Sequence, residues 1–261
     1  MSLKRQTDIL HAVKEVGSYS ITDLAEKLRV STETIRRNIK PMIENGALIR
    51  FHGGIMDPDH VEEPPFQRRM QVNKEAKRTV AAMIARLVKD GDSLILDNGT
   101  TTTYVAEALA HRHSNLTIVT NSAEIVCRLA SRGGNRVFMT GGEISGDAAA
   151  AFGPSSIDFV QQFEVKYAFI STGGINDRGE LVDFHLFEAE FSRAAMKQAQ
   201  ETWVIVDASK FGRGAPVKVC ELSAIDAIVC DEPPPDHFQR KCDDAEVRVF
   251  TASESLDELT A

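Results

Sequence analysis

Apolar residues recur every three or four positions in three short stretches at the start of the chain, which is the spacing of amphipathic helices. The first stretch ends at Gly17, and its apolar positions are Ile9, Leu10, Val13 and Val16. The second follows Thr22, a predicted N-cap, and carries Leu24, Ala25 and Leu28. The third follows Ser31, a second predicted N-cap, and carries Ile35, Ile39, Met42 and Ile43. The pattern therefore predicts three short helices before Asn45-Gly46.

Two short strands are predicted after the third helix. Residues 47–51 form one strand, His52-Gly53-Gly54 a turn, and residues 55–56 a return strand. Three helices, with a tight connection at residues 29–30, followed by a glycine hairpin are typical of a winged helix-turn-helix. That arrangement places the third helix in the major groove of DNA.

The rest of the chain alternates between strand and helix patterns. Residues 57–65 are polar, acidic and rich in proline, which predicts a linker. A long amphipathic helix is predicted from about Gln67 to Lys89. Short apolar strands then follow at residues 93–96, 116–119, 136–139, 168–170, 203–206, 227–229 and 248–250, with helices between most of them. This alternation predicts an α/β domain with a parallel sheet covered on both faces. We set the boundaries at 1–56 for the winged helix-turn-helix, 57–74 for the linker and 75–261 for the second domain.

Charge separates the two domains. The 261 residues carry a net charge of −8, but residues 1–56 have nine Lys/Arg against six Asp/Glu, a net charge of +3. A basic head on an acidic body suggests that only the head contacts phosphate. No apolar run approaches the roughly 20 residues of a membrane span, and the N-terminus lacks the apolar core of a signal peptide. The four cysteines show no Cys-x-x-Cys spacing, so we expect reduced thiols and a cytoplasmic protein without contact to a membrane.

The candidate DNA contacts lie off the apolar face of the third helix and on the hairpin. Arg36 or Arg37 could bind guanine, while Lys40 and the helix N-terminus could bind phosphates. The full predicted set is Ser31, Thr32, Thr34, Arg36, Arg37, Lys40, Arg50, His52, Gly53 and Gly54. The alternative interpretation is a small helical subdomain with a solvated basic face.

Three predicted strands of the second domain end in loops rich in glycine and threonine. Ligands of parallel α/β sheets bind at the carboxyl ends of strands, and free amides with hydroxyls favour an anion there. With two further strand-end positions and two side chains that could contact a ligand, the candidate effector-binding residues are Asp97, Asn98, Gly99, Thr100, Thr101, Thr102, Thr120, Asn121, Gly141, Gly142, Gly173, Gly174, Glu188 and Lys210. The alternative is that these are ordinary strand–helix turns. Gly-x-Gly-x-x-Gly after a strand, Gly-Lys-Ser/Thr and His-x-x-x-His are all absent, so we predict no cofactor, no P-loop and no metal site.

Several motifs in order along the chain resemble the DeoR family of bacterial transcriptional repressors. They include Val30–Arg37, Arg50–Gly54, Asp97–Thr101, Gly173-Gly174 and Asp207–Gly212. Single positions add to the likeness: Phe66, Arg69, Asn73 and Lys77. The resemblance implies a C-terminal domain that senses sugar phosphates, is similar in fold to ribose-5-phosphate isomerase, and forms a homo-oligomer, a dimer or tetramer.

Three further segments are most similar to the members of that family that respond to glycerol 3-phosphate. They are Leu181–Phe184, Phe211–Val217 and Asp226-Ala227 with Asp231–Pro235. This likeness makes glycerol 3-phosphate a candidate effector.

The chain also departs from the family pattern. Asn38 stands where most relatives carry Asp, and Glu190 and Ser192-Arg193 replace commoner basic residues. Pro41 lies inside the predicted recognition helix and removes a backbone donor, so we expect that helix to end or kink near Lys40.

These observations predict a repressor, not an enzyme, whose partners are double-stranded operator DNA and a small phosphorylated metabolite. A phosphate at the Gly99–Thr102 turn would favour an arrangement in which paired heads no longer match their half-sites. Arg69, Asn73 and Lys77 fall on one predicted helical face, which we expect to couple body to head. Two other classes stay open: a sugar-phosphate isomerase with a regulatory DNA-binding head, and an interaction scaffold whose head has lost DNA binding.

Overall fold

The N-terminal domain is a winged helix-turn-helix built on the predicted apolar positions. The computed structural model describes residues 2–16, 18–51, 54–56, 63–145, 147 and 149–252. Helices α1 (Ser2–Val16), α2 (Ile21–Lys27) and α3 (Thr32–Glu44) pack on a three-stranded antiparallel sheet of β1 (Ser18–Ser20), β2 (Ile49–Phe51) and β3 (Gly54–Met56). Its core contains Ile9, Val13, Leu24, Ile35 and Ile39. Strand β1, which pairs with β3, was not predicted because three residues show no periodicity.

The N-cap of helix α2 lies two residues before the predicted one. The N-cap is Ser20, whose hydroxyl accepts a hydrogen bond from the Asp23 amide at 3.0 Å, whereas Thr22 is exposed within the first turn. The prediction of Thr22 was therefore wrong. Ser31 caps α3 as predicted, since its hydroxyl accepts from the Thr34 amide.

The two cap assignments differ in a measurable way. Ser20→Ala is expected to lower the free energy of unfolding of the head by about 1 kcal/mol, because it leaves a helix amide without its acceptor. Thr22→Ala, the matched control, should change it by less than about 0.5 kcal/mol, as surface substitutions do. Urea denaturation followed by circular dichroism measures both, and equal losses would contradict the assignment of Ser20.

Helix α3 continues through Pro41 to Glu44, so, of the two expected effects of Pro41, an end or a kink near Lys40, the helix end was wrong. Proline removes one backbone donor, but Ile39 and Met42 on either side are buried in the head core. Packing on both sides of the proline offsets the lost hydrogen bond, and Asn45 caps the helix end.

The long helix predicted between Gln67 and Lys89 is two helices. Helix α4 (Phe66–Gln71) and helix α5 (Lys74–Leu87) are separated at Asn73, whose φ of 49° is left-handed. The side-chain amide of Asn73 donates hydrogen bonds to the Asp207 carboxylate and the Ser209 hydroxyl of the second domain. These bonds hold the break between the two helices in place. Tertiary contacts therefore override a continuous helical pattern.

A seven-stranded parallel sheet forms the second domain, as predicted. Its order is β15-β14-β12-β9-β4-β5-β6, and every neighbouring pair is parallel. The strands are β4 (Ser93–Leu96), β5 (Thr117–Thr120), β6 (Arg136–Met139), β9 (Val165–Ile170), β12 (Ala199–Val206), β14 (Ala227–Cys230) and β15 (Arg248–Thr251). The helices are α6 (Thr100–Arg112), α7 (Ala123–Leu129), α8 (Pro154–Val160), α9 (Leu186–Met196) and α10 (Asp236–Asp244).

Alternate side chains of the central strands enter different apolar clusters. Leu94, Leu96 and Trp203 belong to one cluster with α5 and α6, whereas Ile95 packs with residues of α8 and α9. The indole of Trp203 is 1% exposed and stacks on Phe250 at 5.2 Å. Both faces of the sheet are thus covered, as expected for a parallel sheet.

Short antiparallel strands that were not predicted complete the domain. A hairpin pairs β7 (Glu143–Ser145) with β8 (Ala150–Phe152), and a small sheet joins β10 (Gly174–Ile175), β11 (Glu180–Asp183) and β13 (Val217–Glu221). Among the described residues, no helix is both long and apolar enough to cross a bilayer.

Candidate functional site

The predicted base-contacting side chains project from α3 into solvent. Arg36, Arg37 and Lys40 are exposed, while Ile35 and Ile39 face the core. The Arg36 guanidinium lies 3.9 Å from the Glu33 carboxylate, and both are largely exposed, so this pair does not hold Arg36 away from DNA. Thr32 and Thr34 are half-buried at the helix start beside the Ser31 cap.

Other predicted contacts fall partly outside this face. Arg50 is exposed on β2, but Gly54 is buried and pairs with Ser20 and Phe51 in the sheet. His52 and Gly53 lie outside the described residues. Asn38 is buried, and its side-chain amide donates to the backbone carbonyl of Thr34 at 2.8 Å. The departure at Asn38 therefore affects the inside of the head, not its exposed face.

A narrow cavity of about 20 Å³ opens where β4 and β9 end. Eight of the predicted effector residues line it: Asp97, Asn98, Gly99, Thr100, Thr101, Gly173, Glu188 and Lys210. Helix α6 begins at this cavity, and no side chain caps its N-terminus. The first amides of a helix lack partners within the helix, so the amides of residues 100–102 are available to an anion.

Asp97 organises the loop. Its carboxylate accepts hydrogen bonds from the Gly99 amide, the Thr102 hydroxyl and both the amide and hydroxyl of Ser171. Burial raises the pKa of Asp97, although the hydrogen bonds from Thr102, Gly99 and Ser171 oppose that rise. Because its oxygens are occupied, Asp97 ties the end of β4 to the end of β9 instead of binding a ligand directly.

Gly99 is required by this close approach. A Cβ atom at Gly99 would lie 1.8 Å from the Ser171 hydroxyl, so any larger residue would push the two loops apart.

The remaining predicted effector residues lie behind or away from the cavity. Asn121 is fully buried and donates to Asn98, whose amide donates in turn to Glu188 at 3.0 Å. The hydroxyls of Thr102 and Thr120 are used within their own loops. A Cβ at Gly174 would meet the Arg213 backbone, which indicates a packing role. Gly142 lines a separate cavity with Phe152 and Phe187, and Gly141 is exposed.

Three carboxyl groups meet inside the cavity. The nearest oxygens of Glu63, Asp183 and Glu188 lie within 4.8 Å of one another. Burial and then the charge of Glu188 raise the pKa of Asp183 well above its ordinary value. Burial and then the charge of Glu63 raise the pKa of Glu188 to about 7. Near neutral pH, Asp183 and Glu188 therefore hold at least one proton and can donate as well as accept hydrogen bonds.

Cationic side chains neutralise this cluster. Arg69 forms an ion pair with Glu63 at 3.0 Å, and Lys210 lines the same cavity. Burial first, and Arg213 second, lower the pKa of Lys210 to about 8. Burial alone would raise the pKa of Asp207, but Lys210, the Ser209 hydrogen bond and Lys77 lower it below its ordinary value.

A second cavity adjoins the first and is rich in positive charge. Lys27 of α2 lines it together with Arg68, Arg69, Lys77, Lys210 and Arg213. The Lys77 amine is buried and donates to the carbonyls of Arg69 and Val72. The sequence suggested that Arg69, Asn73 and Lys77 lie on one continuous helix. They lie on two helices and the break between them, but all three line this cavity.

Several cavity residues were missed by sequence reasoning. Glu63, Ser171, Thr172 and Ser192 line the first cavity, and Arg213 lines the second. Asp183 also lines the first cavity, and it was not among the predicted effector residues. Its place in the sequence, five residues before Glu188, was the one signal that could have included it.

Family profiles match both domains. The profile of the DeoR-like helix-turn-helix domain matches residues 5–60, and that of the DeoR C-terminal sensor domain matches residues 72–232. The chain belongs to the DeoR family. This confirms the resemblance seen in the motifs, and it makes the chain a DeoR-family transcriptional regulator.

Characterised DeoR-family proteins align along most of the chain. The glycerol-3-phosphate regulon repressor of Escherichia coli is 34% identical over 89% of this chain and 92% of its own length. The transcriptional repressor CsqR of the same organism is 30% identical over 96% and 95%. The L-fucose operon activator of Haemophilus influenzae is 28% identical over 92% and 96%. The names show that DeoR-family relatives regulate different operons.

Solved structures overlap with part of the chain. Ribose 5-phosphate isomerase A from Methanocaldococcus jannaschii superposes with a TM-score of 0.39, 19% identity, and 53% and 55% of the two chains covered. The eIF2B delta subunit from Chaetomium thermophilum gives a TM-score of 0.46, 14% identity, and 60% and 56% covered. These overlaps are partial, and the DeoR-family assignment stands on the profiles and the relatives.

Proposed function

We propose that this chain is an operator-binding repressor that is released when a small phosphorylated metabolite enters the cavity at the end of β4. One observation carries the proposal: the uncapped N-terminus of α6 and Lys210 line the same cavity as Asp183 and Glu188. The amides and the amine suit a phosphate. The partly protonated carboxyl pair suits hydroxyl groups.

A phosphorylated polyol carries both of these chemical parts. Glycerol 3-phosphate is our first candidate, because the 34% identical relative is a glycerol-3-phosphate regulon repressor. The segments Leu181–Phe184 and Phe211–Val217, singled out from the sequence, adjoin the two cavities: Asp183 lines the first and Arg213 the second. The test is isothermal titration of glycerol 3-phosphate, ribose 5-phosphate and inorganic phosphate into the full chain, and no binding by any of them would refute the proposal.

Phosphate binding should weaken as the pH rises above about 8. The pKa of Lys210 is about 8 in the free protein, so at pH 9 most of its amines are neutral and no longer attract an anion. Titrations at pH 7, 8 and 9 measure the effect. Lys77 also has a pKa of about 8, so Lys210→Gln is the control that should remove most of the pH dependence. An unchanged pH dependence in that variant would exclude Lys210 as its source.

The head and the sensor domain adjoin at the second cavity. Lys27 of α2 lines it with Lys210 and Arg213, and a Cβ at Gly212 would lie 3.0 Å from the Asp23 carboxylate. A ligand that moves residues 210–213 would therefore change the contacts between this loop and the head. Release requires that the ligand bind the two arrangements with different affinity.

A homo-oligomer would supply the paired heads that half-sites need. Three exposed apolar residues support it: Ile144 on β7, with Leu186 and Phe187 at the start of α9. We propose that this surface joins copies into a dimer or tetramer. Two heads would then contact half-sites about 34–36 Å apart, or a multiple of that distance. Such a repressor would work in the cytosol.

A sugar-phosphate isomerase is the second candidate, and one observation favours it. Glu188, with a pKa near 7, and Lys210 lie in one cavity, which is the equipment for proton transfer on a sugar. The relatives named above are transcriptional regulators, so we expect no turnover. Isomerised product in the ribose 5-phosphate mixture would make the protein an enzyme.

A further inference from the structure

The segment that leads out of the head places a carboxylate inside the effector cavity. Glu63 is the first described residue after residues 57–62, which lie outside the described part of the chain. Its side chain is only 5% exposed, and it lines the cavity beside Asp97, Lys210 and the start of α6. A linker residue therefore occupies space that we assign to a phosphorylated ligand.

Arg69 holds this segment at two points. Its guanidinium forms the ion pair with the Glu63 carboxylate at 3.0 Å, and its Nε donates to the Pro64 carbonyl at 3.0 Å. The next residues are anchored separately, since the Phe66 amide donates to Asp147 at 2.7 Å and the Phe66 ring is buried. Loss of Arg69 would thus release residues 63–65 but not Phe66.

The position of Glu63 is also unfavourable in part. Its oxygens lie within 4.8 Å of those of Asp183 and Glu188, so like charges crowd together in a buried space. Its nearest countercharge is Arg69, and Lys210 and Arg213 are close enough for Glu63 to favour their charged forms. An anion that satisfies these cations while its hydroxyls bond to the carboxyl pair would compete well with Glu63.

We propose that Glu63 is an internal competitor of the effector, and that its displacement is the step that releases the head. The inference rests on the proposed function, because it assumes that a phosphorylated ligand binds in this cavity. With Glu63 inside, the linker is held on Arg69 and the head stays in its DNA-binding position. When phosphate binds Arg69, Glu63 loses its ion pair and residues 63–65 are released from Arg69. The linkage is reciprocal, so operator DNA, which favours the Glu63-bound state, weakens phosphate binding.

Glu63→Gln tests the proposed competition, because it replaces one carboxylate oxygen by an amide nitrogen. Gln keeps the size of the side chain but loses the charge that Arg69 binds, so the competitor is weakened. Isothermal titration with glycerol 3-phosphate and with inorganic phosphate, at 0.15 M salt, should show about tenfold tighter binding to the variant, because the binding-competent fraction rises. A gain of affinity also shows that the variant is folded. Glu75→Gln, on the exposed start of α5, is the matched control and should bind as the wild type does.

A second measurement separates displacement from simple charge removal. If Glu63 holds the linker, Glu63→Gln should bind the operator several-fold more weakly than the wild type without any ligand, in a gel shift with the chain's own promoter region. Tighter phosphate binding with unchanged operator affinity would make Glu63 a local charge only and overturn the proposal. Weaker phosphate binding would make Glu63 part of the ligand site, directly or through a bound cation, and would also overturn it.

The two levels of the argument fail differently. If the wild type binds none of glycerol 3-phosphate, ribose 5-phosphate and inorganic phosphate, the proposed function is wrong. If the wild type binds one of them and Glu63→Gln binds it equally well, the proposed function stands. The proposal that Glu63 competes with the effector is then wrong.

Discussion

Replacing Arg36 and Arg37 by alanine is expected to abolish specific operator binding at concentrations where the wild type is saturated. Both side chains project from α3 into solvent, where a major groove would meet them. A good bidentate contact to guanine is worth about 1–3 kcal/mol, so losing two costs about 2–6 kcal/mol, or roughly 30-fold to more than 10,000-fold in affinity. Gel shifts with the chain's promoter region, against unrelated DNA as competitor, give the measurement.

Two controls define what that result means. Arg78→Ala removes an exposed arginine from the sensor domain and should leave operator binding unchanged. Lys40→Ala, a predicted phosphate contact, should weaken all DNA equally and reduce the salt slope by about 1. Full retention of specific binding in the double variant would defeat the assignment of α3 as the recognition helix and favour the interaction scaffold.

The second large effect is expected at Lys210. Lys210→Gln should give a repressor that binds its operator but is not released by glycerol 3-phosphate. Removing a buried charge that pairs with an anion costs about 2–5 kcal/mol, or roughly 30- to 5,000-fold in ligand affinity. The measurement is the ligand concentration that releases half of the bound operator.

The matched control for Lys210 is Lys218→Gln. Lys218 is an exposed lysine of β13 paired with Glu180 and Glu221, away from the cavity, and its loss should leave release unchanged. If Lys210→Gln is released at the wild-type concentration, the phosphate does not bind beside Lys210, which lines both cavities.

The sheet itself was predictable because a parallel α/β unit needs strands that are apolar on both faces. All seven strands were found from that pattern: two at their observed bounds, and five with one or both ends shifted by one to four residues. Parallel strands bring their loops to one edge of the sheet, but which loops are neighbours depends on the order of the strands. The sequence did not give that order. Strand β6 lies at the edge, two strands from β4, so Gly141 and Gly142 fall outside the cavity.

Contacts between distant residues explain most of what the sequence did not reveal. Asn73 breaks a helix whose apolar spacing is continuous, because its partners are Asp207 and Ser209, more than 130 positions away. Glu63 carries no local signal at all, since an acidic residue in a polar linker has the pattern of a solvated one. Its burial depends on Arg69 and on the cavity wall, which only the folded chain supplies.

Trp203 is the only tryptophan of the chain, and it lies deep in the sensor sheet against Phe250. Its fluorescence therefore reports the melting of that domain alone, since the winged head contains no indole. Comparing emission with far-ultraviolet ellipticity, which sees the helices of both domains, would show whether head and sensor unfold together or one after the other, without any label.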